Sequence, residues 1–207
     1  MSNKRETSPR LAYVVAICED ACLGDGGKPG FFLDIESSSK SWLESSVASR
    51  LSEILREKVT VKKRTTRTYY RIRLWDKKLV SLLTDIRRNV ASVLLWSERA
   101  KLAWVSGFID AEGSVTLTGE NQPMLSIYNT NLRRLEVIEE ILKPYGIIAR
   151  YYKPHDRGVW QQYFTGRSNL IKLSKTVRIE HPEKTAKLRS YLLDLGRVQK
   201  SRTGTSL

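Results

Sequence analysis

The sequence predicts an α+β protein made of two pseudo-equivalent αββαββα halves, each built on an antiparallel sheet. Two observations predict it. An apolar helix that ends in an acid followed by glycine occurs twice, and the same order of strand and helix signals follows each copy.

Ser8-Pro9 supplies a capping residue and a proline suited to the first helical position, and residues 11–23 are then almost uninterruptedly apolar apart from Glu19-Asp20. The expected stop is Gly24-Asp25-Gly26-Gly27, because consecutive glycines remove helical propensity. Residues 31–35 read as a strand, 41–57 as a helix, 59–63 and 68–74 as a hairpin, and 76–90 as a helix. In the second half Ser97 caps, 101–111 is an apolar helical run, and Glu112-Gly113 ends it. Residues 114–118 and 124–128 form an expected hairpin across a Gly119-to-Pro123 turn. A helix with Leu132, Leu135, Ile138 and Leu142 at helical spacing follows Asn129-Thr130-Asn131 and ends near Gly146. Residues 147–152 and 160–165 give another hairpin and 168–177 a further helix. A repeat of this length is too long for a solenoid and reads as a duplicated half-domain whose copies pair about a pseudo-twofold axis. The expected organisation is an N-terminal half over 8–95, a C-terminal half over 96–195, and basic flexible ends at 1–7 and 196–207.

The chain carries 36 Lys and Arg against 22 Asp and Glu in 207 residues, a formal charge of +14. So many uncompensated cations favour a polyanionic partner, and their spread over several clusters suits a groove that follows a phosphate backbone. No apolar run is long enough for a membrane span and none resembles a secretory leader, so a cytoplasmic protein is expected. Cys18 and Cys22, four apart in an apolar stretch, read as buried small hydrophobes rather than as a zinc site. The five tryptophans read as core or sheet-packing residues, and His155 and His181 as surface residues.

Val105-Ser-Gly-Phe-Ile-Asp-Ala-Glu-Gly113 resembles the LAGLIDADG nonapeptide, with Glu112 at the metal-binding acid. The first copy, Cys18 to Gly26, is less regular. Setting aside four residues joins residues 11–17 to 22–27 and resembles the first motif of archaeal intron-encoded, single-chain members, with Asp25 as the acid. Asp20 is the alternative. The likeness extends over about residues 8–195, including residues 69–79 and Ile127-Tyr128-Asn129. It implies a homing endonuclease, in which the motif helices pack at the interface of two halves whose sheets form a DNA-binding saddle. Small residues such as Ala16 and Gly107 are expected at the helix crossing, which brings the two acids together.

Adjacent carboxylates need a neutralising cation, and oxygen donors without His or Cys suit Mg²⁺ or another divalent ion such as Mn²⁺. The resemblance adds the carbonyls of Gly24 and Ala111 as ligands. It also marks Asn129, with Ser37 as its first-half counterpart, as the residue ordering the attacking water. Strand alternation sets Tyr69, Arg71 and Arg73 on one face of the first sheet, with Lys62, Lys63 and Arg64 nearby. Tyr151, Lys153, Gln161 and Tyr163 are expected on the DNA face of the second sheet, with Arg133 as a further contact. Arg and Gln can read guanine and adenine edges while Lys holds phosphates. The expected activity is a double-strand break in a long DNA target by a functional monomer, promoting intron mobility. The rival readings are an RNA maturase, a non-cleaving DNA-binding relative of the same fold, or a basic ribonucleoprotein component.

Overall fold

Helix α1 (Pro9–Ile17) starts as its sequence dictates: the Ser8 hydroxyl accepts the Leu11 amide, and Pro9 occupies the first turn, where no amide is needed. In this computed structural model residues 7–19, 21–25, 30–65, 68–119, 122–153 and 158–202 are described, with backbone only at 25 and 194–202. The chain divides into two units, residues 1–111 and 112–207.

The first unit continues through β1 (Cys22–Asp25), β2 (Phe31–Ser37) and a helical stretch made of α2 (Lys40–Trp42), a π-helical segment (Leu43–Ala48) and α3 (Ser49–Leu55). Strands β3 (Lys62–Lys63) and β4 (Tyr70–Leu74) complete an antiparallel sheet of order β1-β2-β4-β3. Helix α4 (Lys77–Arg88) is capped by Asp76, whose carboxylate accepts the Leu79 amide at 2.7 Å. A 3-10 turn (Val90–Leu95) leads to α5 (Glu98–Glu112). The inward sheet face carries Leu33, Ile35 and Ile72, which are buried, as are Leu43, Val47, Leu51, Val80 and Leu83, with the π segment packed on β4 and α4 on β2. Helix α1 is buried from Ala12 to Ile17, so it has no solvated face.

The second unit runs β5 (Gly113–Leu117), β6 (Pro123–Asn129), α6 (Leu132–Leu142), β7 (Arg150–Tyr152), β8 (Trp160–Thr165), α7 (Arg167–Thr176) and α8 (Pro182–Arg202). Its antiparallel sheet has order β5-β6-β8-β7, the same as the first. The Asn131 side chain caps α6 by accepting the Arg133 amide. A 3-10 turn after α6 closes on Gly146 at φ 63°, a left-handed conformation that glycine adopts without a β-carbon penalty. Leu125, Ile127, Phe164, Leu135, Ile138, Leu170 and Leu173 fill the core. The α+β class and the repeated sheet topology stand as the sequence predicts.

Several details differ. The first helix does not run to residue 23. It ends at Ile17 with Cys18 as its cap, and Cys22–Asp25 is an edge strand. Continuous apolarity misled here, since a short apolar run fits a strand as well as a helix. Cys22 is consequently exposed, while Cys18 is buried. The expected helix over 41–57 contains the π segment, which no periodicity announces. Helix α8 was not expected, and it takes residues 196–202 into a helical backbone. His181 is buried and Trp75 is 64% exposed, both against expectation. His155 lies outside the described residues. Among the described residues no helix is long and apolar enough to cross a membrane.

Candidate active site

Helix α5 meets α1 at Gly107. A β-carbon there would stand 2.5 Å from the Tyr13 carbonyl oxygen and 3.0 Å from the Ala16 side chain, so the two backbones touch only because residue 107 has none. The small residues expected at the crossing, Ala16 and Gly107, are therefore the ones found there. Below the crossing, the Tyr13 hydroxyl donates to Asp110 Oδ2 at 2.8 Å and accepts from Trp42 Nε1 at 2.9 Å. The Arg50 guanidinium lies 4.2 Å from the Tyr13 ring centroid. Asp110, at 1% exposure, lies two residues before the candidate acid Glu112; the buried chain of donors lets a polar motif residue lie inside a packed helix crossing. Trp104 and Phe108, with centroids 5.2 Å apart, fill the rest of that buried face of α5.

Glu112 is the last residue of α5 and Gly113 the first of β5, so the half-buried carboxylate stands where the helix delivers the chain to the sheet. Ala111 is also half-buried. In the first unit the matching junction is read from strand register. Ser37 Oγ accepts the Ser39 amide at 3.1 Å and Asn129 Oδ1 accepts the Asn131 amide at 2.8 Å, so both residues end the second strand of their sheet in the same turn. Counting back, Asp34 corresponds to Ser126, and their partners Cys22 and Ser114 correspond in turn. Glu112, two residues before Ser114, then answers to position 20, two residues before Cys22. Asp25 pairs with Phe31 at the far end of β1, the place Leu117 holds opposite Pro123. Asp20 itself and the Asp25 side chain lie outside the described residues. Gly24 faces Phe32 across the sheet, and a β-carbon there would meet that ring at 2.3 Å.

The turn between α1 and β1 is gripped from α4. The Arg87 guanidinium donates to the Cys18 carbonyl, which also accepts the Ala21 amide, and, at 2.6 Å, to the Ala21 carbonyl, adding charge-assisted bonds where the helix ends. Burial pushes the Cys18 thiol far up, against the opposing pull of Arg87, so it is an inert core group.

Each sheet has an outward polar face. On the first, Asp34 and Glu36 of β2 stand opposite Arg73 and Arg71 of β4, with Lys62 beside Arg71. Arg71 donates through Nε and Nη2 to Asp34 at 2.7 and 2.6 Å, and Arg73 donates through Nη2 at 2.5 Å. Burial alone would raise the Asp34 carboxyl, but the hydrogen bonds and charges of Arg71 and Arg73 outweigh it and hold it below the usual carboxylate range. Arg64 pairs with Glu36 at 2.8 Å. Tyr69 is exposed just before β4, and Lys63 is exposed on the opposite parity from Lys62. Sequence reading missed Asp34 and Glu36. The available signal was a pair of acids two apart on one strand, matching arginines two apart on another.

On the second sheet Gln161 Nε2 donates to Ser126 Oγ at 2.8 Å, and Tyr163 lies opposite Ser126. Tyr151 does not share this face. It pairs with Gln162, which points to the core, and its hydroxyl donates to Glu139 at 2.7 Å and accepts from Gln162. Burial and that carboxylate raise its hydroxyl pKa far above the ordinary value. Lys153 is exposed with its ammonium 4.8 Å from the Trp160 ring centroid. Arg133 is spent on its own helix, paired with Glu136 and Glu140 at 3.2 and 2.7 Å, so its charge is largely compensated. Among the described residues no three His, Cys, Asp or Glu side chains gather. The oxygen donors that the candidate site offers, the Glu112 carboxylate and the Ala111 carbonyl, are of the hard type that fits Mg²⁺, Mn²⁺ or Ca²⁺ better than zinc.

Residues 99–178 match the LAGLIDADG-like domain model. The chain is 26% identical over 196 residues to the homing endonuclease I-ApeI of Aeropyrum pernix, covering 88% of this chain and 86% of that protein. Among solved structures, I-DmoI in complex with DNA and Mn is 20% identical with TM-score 0.64, covering 85% of this chain and 99% of that one. I-DmoI with DNA and Ca gives 19% and 0.67, covering 88% and 98%. The N-terminal LAGLIDADG domain of WhiA gives 14% and 0.54, covering 87% and 89%. With two like-ordered sheets, a glycine-seated crossing of α1 and α5, and an acid-tipped second motif, the chain has the fold of the LAGLIDADG structures it resembles, and residues 99–178 match the LAGLIDADG-like domain.

Proposed function

We propose that the protein is a site-specific homing endonuclease that makes a double-strand break in a long DNA target, acts as a monomer and promotes intron mobility. The observation that carries this is Glu112, a carboxylate held at the junction between a motif helix and a sheet whose outer face presents Gln161 and Tyr163. The likeness to I-ApeI over most of both chains supports DNA cleavage, and the basic charge of +14 supports a phosphate-rich partner.

In this reading each unit contributes one acid, one for each DNA strand. Glu112 serves the second unit, with the Ala111 carbonyl as a further donor. For the first unit, strand register supports Asp20, whereas the GDG pattern supports Asp25 with the Gly24 carbonyl. We adopt Asp20. A bound divalent cation, Mg²⁺ in our proposal, supplies an activated water and neutralises charge at the phosphate. Asn129 has its Oδ1 committed to the turn into α6, which leaves its amide NH₂ to orient that water. Tyr69, Arg71, Arg73, Lys62, Lys63 and Arg64 from the first sheet, and Gln161, Tyr163 and Lys153 from the second, are the proposed DNA contacts. Arg133 is a weak one because its charge is matched on its own helix.

The test is incubation of purified protein and Mg²⁺ with a plasmid carrying the uninterrupted insertion site. Linearisation is expected, with Glu112→Gln binding the same DNA without cutting. Undiminished cleavage by that variant refutes the assignment.

A further inference from the structure

The outward face of the first sheet carries a feature that phosphate binding does not require. Asp34, only 7% exposed, lies at the middle of β2 beneath two arginines. A carboxylate there subtracts from the positive field that attracts a phosphate backbone, so it serves another purpose. Its effect is geometric. Arg71 is held side-on through Nε and Nη2, one bond to each carboxylate oxygen, and Arg73 is held through Nη2 at 2.5 Å and Nε at 3.2 Å. Arg73 also lies 5.4 Å from the Phe32 ring centroid, and Arg71 Nε is 3.4 Å from Glu36. Each guanidinium keeps the donors at its outer end, now in a fixed plane. Those side chains remain 25% and 37% exposed, so the outer ends are accessible.

A free arginine spends rotamer entropy when it docks; a clamped one has already lost it. Two coplanar donors at fixed spacing match the O6 and N7 acceptors of guanine, a pattern shown by no other base edge in the major groove. The second sheet differs at the matching position. There Ser126 accepts Gln161 Nε2, a neutral pair whose remaining amide atoms suit adenine rather than guanine.

We infer that Asp34 is a specificity-determining positioning residue, presetting Arg71 and Arg73 to read two neighbouring G·C pairs in the half-site covered by the first sheet. This rests on the DNA endonuclease reading above and goes beyond it by naming the bases read and the residue that fixes the readers.

The experiment measures binding and cleavage of a library holding every single-base variant of the target by the full-length protein and by D34N, R71K and R73K. The wild type is expected to prefer G by roughly tenfold at two nearby positions of one half-site. D34N should lose most of that preference at those two positions only. Its binding to unrelated DNA at low salt should hold or rise, because one negative charge is removed. Should D34N fold poorly by circular dichroism, R71K and R73K carry the test, each relaxing one of the two positions. Retention of the G preference in a folded D34N overturns the inference, as does its retention in both lysine variants or an equal loss across all positions. A wild type that cuts specifically without those guanines overturns the inference and leaves the endonuclease reading intact. A wild type with no sequence preference at all overturns both.

Discussion

Gly107 and Tyr13 lie so close that a β-carbon on the first would stand 2.5 Å from the carbonyl oxygen of the second. The expected result of Gly107→Ala is therefore a loss of roughly 1–3 kcal/mol through forced separation of α1 and α5. Thermal unfolding followed by circular dichroism measures it. An unchanged midpoint would mean the helices part without cost.

The two first-unit acids are separable by substitution. Asp20→Asn should abolish double-strand cleavage with binding retained, while Asp25→Asn, at a sheet edge opposite Phe31, should cut at near wild-type rate. Plasmid linearisation and gel-shift assays decide it. The reverse pattern would restore the reading in which four residues are inserted ahead of the motif's close.

Much of this fold was legible in advance for a physical reason. Ser8, Asp76, Ser97 and Asn131 are capping residues followed by helical periodicity, and each starts a helix. Glu112-Gly113 was legible because α5 is long and its strand alternates cleanly. The first motif was not, because the apolar run of α1 passes straight into the apolar β1, and hydrophobicity alone does not mark the change of backbone. Asp34 escaped notice because a single strand shows its acids without showing the arginines opposite, which only pairing reveals. The sheet face of Tyr151 went astray in the same way, since the loop before β8 conceals the register of β7.

Arg87 ties α4 to the turn that separates α1 from β1. Arg87→Met removes two charge-assisted hydrogen bonds to backbone carbonyls, an expected cost of roughly 2–4 kcal/mol. Urea denaturation checks the stability. Cleavage measured well below the new midpoint should also slow, because the turn leads into the candidate acid.

His181 provides a pH signature. Burial, with Lys184 adding to it, lowers its pKa from 6.5 to about 4, so the fold holds it neutral. The unfolded chain binds a proton first, and stability contributed by the neutral ring is present above pH 6.5 and is lost as pH falls towards 4. His181→Gln should flatten the pH dependence of the melting midpoint across that window by on the order of 1 kcal/mol. Parallel curves for the two proteins would contradict the expectation.

Arg56 ends α3 in the left-handed region at φ 56° with its side chain exposed. Arg56→Gly should raise stability by about 0.5–1 kcal/mol, because only glycine takes that conformation without strain. Differential scanning calorimetry reads the change.

The seat of α5 on α1 also governs how such a protein can be recombined. A gene cut between residues 95 and 96 would leave Ala12, Tyr13, Ala16 and Ile17 stripped of the helix that covers Tyr13 and Ala16. Shuffling halves among relatives therefore calls for the first fragment to carry its partner rod to residue 111, or for the donor to supply a glycine at the same point of contact.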